Sequence, residues 1–266
     1  MVTEWVLGIM IAAAGAIALL KWRRGQLYKN LSERLQRIRA TGGFDLSQAV
    51  ARPIPSFKDR LAVLPAFLPL PVFEALRREA ESLLSPERSY VPTHKKGGTI
   101  AYETLIAAAP RIVSFYHSPQ VMFYVSKIVG ELLVPTPLHD QSSLSVLVYE
   151  KPGDHIGWHY DHNFYRGRHF TVLFALDNTG RAAGGLSHAG LKARAGGGEV
   201  SVVTSPNTMV VFEGAAVRHK VTPILEGERR LMLSMTYCTD PDASFLQGTT
   251  RRIKDIAFFG LRALWT

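Results

Sequence analysis

The chain has 266 residues, 47% of them apolar, which suits one domain of about 200 residues with a sizeable core plus an appendage. Its single cysteine, Cys238, excludes an intrachain disulfide and fits a reducing compartment. A formal charge of +9 favours anionic partners, with nucleic acid and an acidic membrane surface both candidates on charge alone.

Residues 5–20 form a run of sixteen without a charge, followed at once by Lys21, Arg23 and Arg24. A membrane span wants about 17–25 residues. Val2 and Thr3 extend the run, and Trp5 and Trp22 are placed like interfacial anchors. A cleaved signal peptide would carry its positive charges before the apolar run, not after it. The expectation is a single transmembrane anchor with a basic flank over 1–24, its N-terminus outside and the domain that follows cytoplasmic. A buried core helix is the alternative. The anchor makes membrane lipids the expected partner and argues against nucleic acid.

Residues 31–40 read as a basic amphipathic helix with Leu31, Leu35 and Ile38 on one face, ended by Thr41, Gly42 and Gly43. Residues 46–71 carry Pro53, Pro55, Pro65, Pro69 and Pro71. This reads as an extended segment laid on the domain, because Leu61, Val63, Leu64, Phe67 and Leu68 would otherwise be exposed. A juxtamembrane helix and Pro-rich segment thus fill 25–71. Pro71 opens a helix to residue 84 with Phe73, Leu76, Ala80 and Leu83 inward. The basic stretch 94–98 reads as a loop, solvated in the ordinary reading, with contact to a substrate as the alternative that its charge offers. Helices over 110–117 and 120–133 complete a helical support region at 72–141.

From 142 to 240 the pattern turns to strands, read at 143–149, 155–161, 170–177, 186–189, 199–204, 208–213, 218–224 and 229–238. The glycines at 196–198 make no phosphate loop, since no Gly-Lys-Ser/Thr follows. The tail at 241–266 interleaves Ile253, Ile256, Phe258, Phe259, Leu261, Leu264 and Trp265 with Arg251, Arg252, Lys254 and Arg262. It is a basic amphipathic helix that lies either in a membrane interface or on the domain core.

The chemistry gathers at His159, Asp161 and His219. A His-x-Asp pair puts both side chains on one face of a strand, and a distant histidine on a neighbouring strand completes a facial set. Two imidazoles and a carboxylate on one face of an octahedron leave three positions open, as in non-haem Fe(II) oxygenases. Arg229, ten residues past His219, can hold the distal carboxylate of a dicarboxylate cosubstrate as a bidentate fork. His155 and His188 are better read as structural.

At these residues the sequence resembles the Fe(II)- and 2-oxoglutarate-dependent oxygenases, and within them the prolyl 4-hydroxylase-like branch, over about 142–239. The resemblance implies an α+β chain with a mainly β core. That core is a double-stranded β-helix of eight strands, jelly-roll or cupin-like, with packing helices and iron at its open end. His159, Asp161 and His219 are its expected metal ligands, and no catalytic residue is expected beyond them. Arg229 is the expected anchor for the C5 carboxylate of 2-oxoglutarate, and Tyr149 a hydroxyl donor to it. Fe(II), 2-oxoglutarate and O2 follow, with ascorbate as reductant. A related halogenase has Gly or Ala where Asp161 stands, so Asp161 favours hydroxylation or desaturation. The expected activity is hydroxylation of a C–H bond in a lipid-like, protein or small-molecule substrate, with 2-oxoglutarate converted to succinate. The alternative is a catalytically silent β-helix serving as a membrane-tethered binding or sensing module.

Overall fold

A computed structural model describes residues 2–83, 86–91 and 94–259. It opens with one long helix, α1 (Val2–Ala40), then a short α2 (Ser47–Val50) and strand β1 (Leu61–Leu64). Helix α3 (Leu70–Glu81) follows, then strands β2 (Glu87–Val91) and β3 (Lys95–Ile100). Three helices come next: α4 (Tyr102–Ala108), α5 (Pro110–Tyr116) and α6 (Pro119–Val129). The strands resume with β4 (Val134–Pro135), β5 (Leu144–Tyr149), β6 (His155–His159), β7 (His169–Thr179), β8 (Leu191–Ala195) and β9 (Gly198–Val202). They end with β10 (Met209–Phe212), β11 (His219–Val221) and β12 (Arg229–Cys238), before the C-terminal helix α7 (Phe245–Phe259).

The helix boundaries have local causes. In α6 the Ser118 side chain accepts from Val121 N, Pro119 takes the first turn, and Gly130 stops the helix at φ 74°. Phe73, Leu76 and Ala80 share the buried face of α3, as the 3.6-residue period requires.

The strands form one antiparallel sheet in the order β1-β10-β7-β12-β5-β3-β6-β11-β8-β9, with β2 on β3 and β4 on β12. This nearly closed sheet is the architecture of a double-stranded β-helix. Two cores result. Leu231, Leu233, Met235 and Tyr237 of β12 face the helices, with Phe73, Phe115 and Phe174. Tyr149, Phe212, Val221 and Met232 pack inside the curl of the sheet.

The strand set differs from the sequence reading at its ends. The basic stretch expected as a loop is β3, with Lys95 and Lys96 paired to β6. The strand expected at 186–189 lies at Leu191–Ala195 instead. Ser187 and His188 are held by side-chain bonds to Asn178 and Glu228, which take up backbone groups that a ladder would use. The Pro-rich segment does lie on the domain, with β1 paired to β10 and Phe67 and Leu68 buried.

The N-terminal expectation needs correction. Among the described residues no helix is long and apolar enough to cross a membrane. The single-pass anchor at 1–24, with its cytoplasmic catalytic domain, is therefore withdrawn. The charge-free run is only the first part of α1, whose later turns carry Lys21, Arg23, Arg24 and Lys29 and continue onto the domain. Leu31 and Ile38 are buried there. Arg39 Nη2 donates to His117 Nδ1 (2.8 Å), and burial lowers that imidazole to about 3, so it accepts as a neutral ring.

Helix α7 docks on the domain through its charged residues. Arg251 and Asp255 are buried, 2% and 0% exposed. Arg251 Nη1 donates to Asp255 Oδ2 (2.6 Å) and to the His139 carbonyl (2.7 Å). Lys254 Nζ donates to Ser142 Oγ (2.7 Å) and pairs with Asp255. The part of the tail beyond residue 259 lies outside the described residues.

Candidate active site

His159 ends β6 and His219 begins β11, and the two are direct cross-strand partners. Asp161 lies just past β6, where its N–H donates to the Gly214 carbonyl (2.9 Å). One ligand atom from each of the three residues lies within 4.8 Å of the others. Asp161 Oδ1 is 3.6 Å from His159 Nε2 and 3.7 Å from His219 Nε2.

The surrounding bonds aim these atoms. His159 Nδ1 donates to the Gly157 carbonyl (2.8 Å) and His219 Nδ1 to the Val217 carbonyl (3.0 Å). Both Nε2 lone pairs are thereby left facing one point. Thr171 Oγ1 donates to Asp161 Oδ2 (2.5 Å), so Oδ1 is the oxygen that faces the imidazoles. Burial opposes the charged Asp161, but His219 and His159 outweigh it and hold the carboxyl well below the usual range. Burial lowers His219 despite Asp161 beside it. Two neutral-capable imidazoles and one anionic oxygen are the donor set of a non-haem iron centre, and these residues fit the ion.

A glycine makes room for this. A Cβ on Gly214 would sit 2.5 Å from Asp161 Oδ2 and 2.7 Å from Thr171 Oγ1. Gly214→Ala is expected to push the carboxylate off its position and weaken Fe(II) binding about 10- to 100-fold, the usual cost of disturbing the groups that orient a ligand. Iron titration with a circular-dichroism check of the fold measures this, and unchanged affinity would remove Gly214 from the site.

The three residues share a cavity of about 190 Å³ with Tyr149, Lys95, Arg230 and Lys254. Alternation along β12 decides which arginine enters it. Arg230, Met232, Ser234 and Thr236 all line the cavity. Arg229 therefore points to the helix side, and its expected position facing the iron is corrected. There its Nη2 donates to Glu81 Oε1 (2.7 Å) and its Nε is ion-paired with Asp177 Oδ2 (2.8 Å). Arg230 is 1% exposed, its Nε and Nη2 make no hydrogen bond, and its guanidinium lies 5.3 Å from the centroid of the Tyr149 ring. Burial disfavours its charge. Tyr149 is the cross-strand partner of Arg230, and its hydroxyl, also without a hydrogen bond, is pushed up to about 12 by burial.

Lys95, which the sequence reading offered for substrate contact only as the alternative to a solvated loop, and Lys254, read there only as part of a basic tail, both line this cavity. Lys95 is buried, donates to Thr99 Oγ1 (2.8 Å) and is lowered to about 8 by burial. Its neighbour His94 stands edge-on to His159 at 5.4 Å. Lys254 arrives from α7, far along the chain. Of the spare histidines, His155 Nδ1 bonds the Gly153 carbonyl and His188 Nδ1 bonds Glu228, both structural.

Fold and centre together define a non-haem iron oxygenase that uses 2-oxoglutarate. The model of the 2OG-Fe(II) oxygenase superfamily matches residues 144–237, and that of Halogenase D matches residues 48–187, more than half of the chain. The chain belongs to the 2OG-Fe(II) oxygenase superfamily and, within it, to the family that the Halogenase D model describes. It is an enzyme of this class, with Fe(II) as cofactor and 2-oxoglutarate as cosubstrate. No curated protein matches the sequence. Several solved structures share the fold. The α-ketoglutarate-dependent epimerase SnoN of nogalamycin biosynthesis is 16% identical with a TM-score of 0.57, covering 73% of this chain and 80% of its own. The carbocyclase SnoK of the same biosynthesis is 14% identical with a TM-score of 0.56, covering 79% and 93%. A Pseudomonas putida prolyl-4-hydroxylase is 18% identical with a TM-score of 0.50, covering 73% and 97%.

Proposed function

We propose that this enzyme hydroxylates a C–H bond of a small polar substrate, or of a polar side chain, with 2-oxoglutarate bound between Arg230 and the iron. The observation that carries this is a single cavity lined by the three ligand residues and by the buried Arg230. Arg230 supplies the charged fork for the distal carboxylate, and the Tyr149 hydroxyl beside it supplies a further donor. Bound Fe(II) with 2-oxoglutarate supplies the oxidising power for the C–H bond. His159, Asp161 and His219 hold the metal, and the Nδ1 bonds of the two histidines fix their rings.

Asp161 supports oxygen insertion over the halogenation named by the family model. Three protein ligands, where Gly or Ala at the position of Asp161 would leave two, would leave a bound iron no position for a halide beside its cosubstrates. Lys95, Asp140 and Lys254 on the cavity wall favour a polar substrate over an acyl chain. A cavity of about 190 Å³, shared with the cosubstrate, admits a small molecule or one side chain.

The test is succinate formation from 2-oxoglutarate with Fe(II) and ascorbate, stimulated by fractions of cell extract. A mass gain of one oxygen in a polar metabolite or a protein supports the proposal. A gain of chlorine or bromine, or of oxygen in a lipid fraction alone, would overturn it.

A further inference from the structure

The strands that carry the two histidines have a basic outer face. His159, His219 and Val221 line the iron cavity, so alternation turns Trp158, Arg218 and Lys220 outward. Leu191 and Ala193 pack inside the curl of the sheet, which turns Lys192 and Arg194 outward on β8. Strands β8, β11 and β6 are neighbours, with Lys192 directly across from Lys220. Three cations stand over the Trp158 ring. Lys220 Nζ lies 4.7 Å from its centroid, Arg194 Cζ 5.1 Å and Arg218 Cζ 5.9 Å. Two carboxylates approach this face. Glu199, the cross-strand partner of Arg194, accepts from Lys192 Nζ (2.9 Å). Asp59 stands at the far end, beside the turn at Gly196. None of Arg194, Arg218 and Lys220 forms an ion pair with a carboxylate of the described residues.

The indole offsets part of the repulsion among these three charges and holds them over its ring without using their hydrogen-bond donors. Their charge is left unmatched within the chain, and carboxylates of another molecule would match it. The cations recur at every second residue of β8 and β11, about 6.6 Å apart along each strand. An extended acidic chain repeats its carboxylates at the same interval on one side. Single-stranded nucleic acid also carries regular charge, but it is held in addition by bases stacked on open aromatic rings. The Trp158 ring of this face is already taken by cations. We propose that the outer face of β6, β11 and β8 binds an extended acidic segment of a partner protein, with Trp158 holding Arg194, Arg218 and Lys220 in place for its carboxylates. The surface is separate from the iron cavity but backs onto it, since Trp158 adjoins His159, and Arg218 and Lys220 adjoin His219.

Calorimetry of the full chain uses two probes, a short peptide of alternating Glu and Ser and an oligothymidylate of equal charge. The expected result is saturable binding of the peptide that weakens as salt rises. An exposed ion pair contributes up to a few-fold in affinity. Arg194→Gln, Arg218→Gln and Lys220→Gln should therefore each cost a few-fold, and the triple variant at least about tenfold. Arg34→Gln, exposed on α1, controls for general charge and should cost nothing. Trp158→Leu keeps every charge but releases the cations, and should weaken the peptide about as much as loss of one cation. No binding of the peptide, or an affinity that the triple variant leaves unchanged, would overturn the surface. So would an equal loss in Arg34→Gln, which would mean diffuse charge. Tighter binding of the oligothymidylate would overturn the acidic segment in favour of nucleic acid. Should the triple variant fail to fold, Arg194→Gln, exposed on β8, decides alone.

Discussion

Arg230→Ala is expected to raise the 2-oxoglutarate requirement about 100-fold or more, while Arg229→Ala leaves it within a few-fold of the parent. Each hydrogen bond to a charged group contributes about 1.5–3 kcal/mol, and loss of a two-pronged fork removes two of them. Arg229 already spends its guanidinium on Glu81 and Asp177 at the helix side. Its removal loosens that contact and leaves the cavity unchanged. Arg230→Lys keeps the charge without the fork and should fall between. A second measurement sharpens the result. Arg230 is a buried cation whose Nε and Nη2 lack hydrogen-bond partners in the cosubstrate-free protein, so Arg230→Met should raise the thermal midpoint of that form as it removes cosubstrate binding. The assignment fails if succinate formation responds more strongly to Arg229→Ala than to Arg230→Ala.

His219→Ala is expected to bring iron content and turnover to background, with the fold kept. His219 is 6% exposed and is the cross-strand partner of His159. Removing it takes away one of three donors and the ring that packs on Phe212 at 4.7 Å. Groups that merely orient a ligand alter affinity about 10- to 100-fold, so loss of a ligand itself should exceed that range. Iron stoichiometry after gel filtration, read beside far-ultraviolet circular dichroism, measures it. Full turnover in this variant would exclude the triad. Asp161→Ala is the complementary change, because it keeps both imidazoles and opens a fourth coordination position.

The candidate metal site, three residues that the structure brings within 4.8 Å of one another, was legible in the sequence because part of its signal is local. His159 and Asp161 are two residues apart, and His219 heads a short strand next to them. Arg229 was misplaced because adjacent residues on a strand face opposite sides, and the sequence alone leaves the register one residue uncertain. Here the bond partners settle it: Glu81 and Asp177 draw Arg229 outward, and Arg230 pairs with Tyr149. The position of Lys95 and Lys254 in the cavity was out of reach for a different reason, although the charge of 94–98 had raised substrate contact as an alternative. Each enters the cavity through pairing or docking of a distant element, β3 on β6 and α7 on the domain. The N-terminal run misled because sixteen apolar residues look the same whether the helix ends or continues. In the structure it continues, and the later turns of α1 rest on the domain.

The pairing of His159 with His219 across β6 and β11 bears on folding as well as on catalysis. The two ligands are about sixty residues apart in sequence but opposite each other in space. An ion held by both closes a loop of that length, as a disulfide would. A metal ion that binds the folded chain and not the unfolded one stabilises it by RT ln(1 + [metal]/Kd), so iron would raise the thermal midpoint of this half of the β-helix and a chelator would lower it without unfolding the chain.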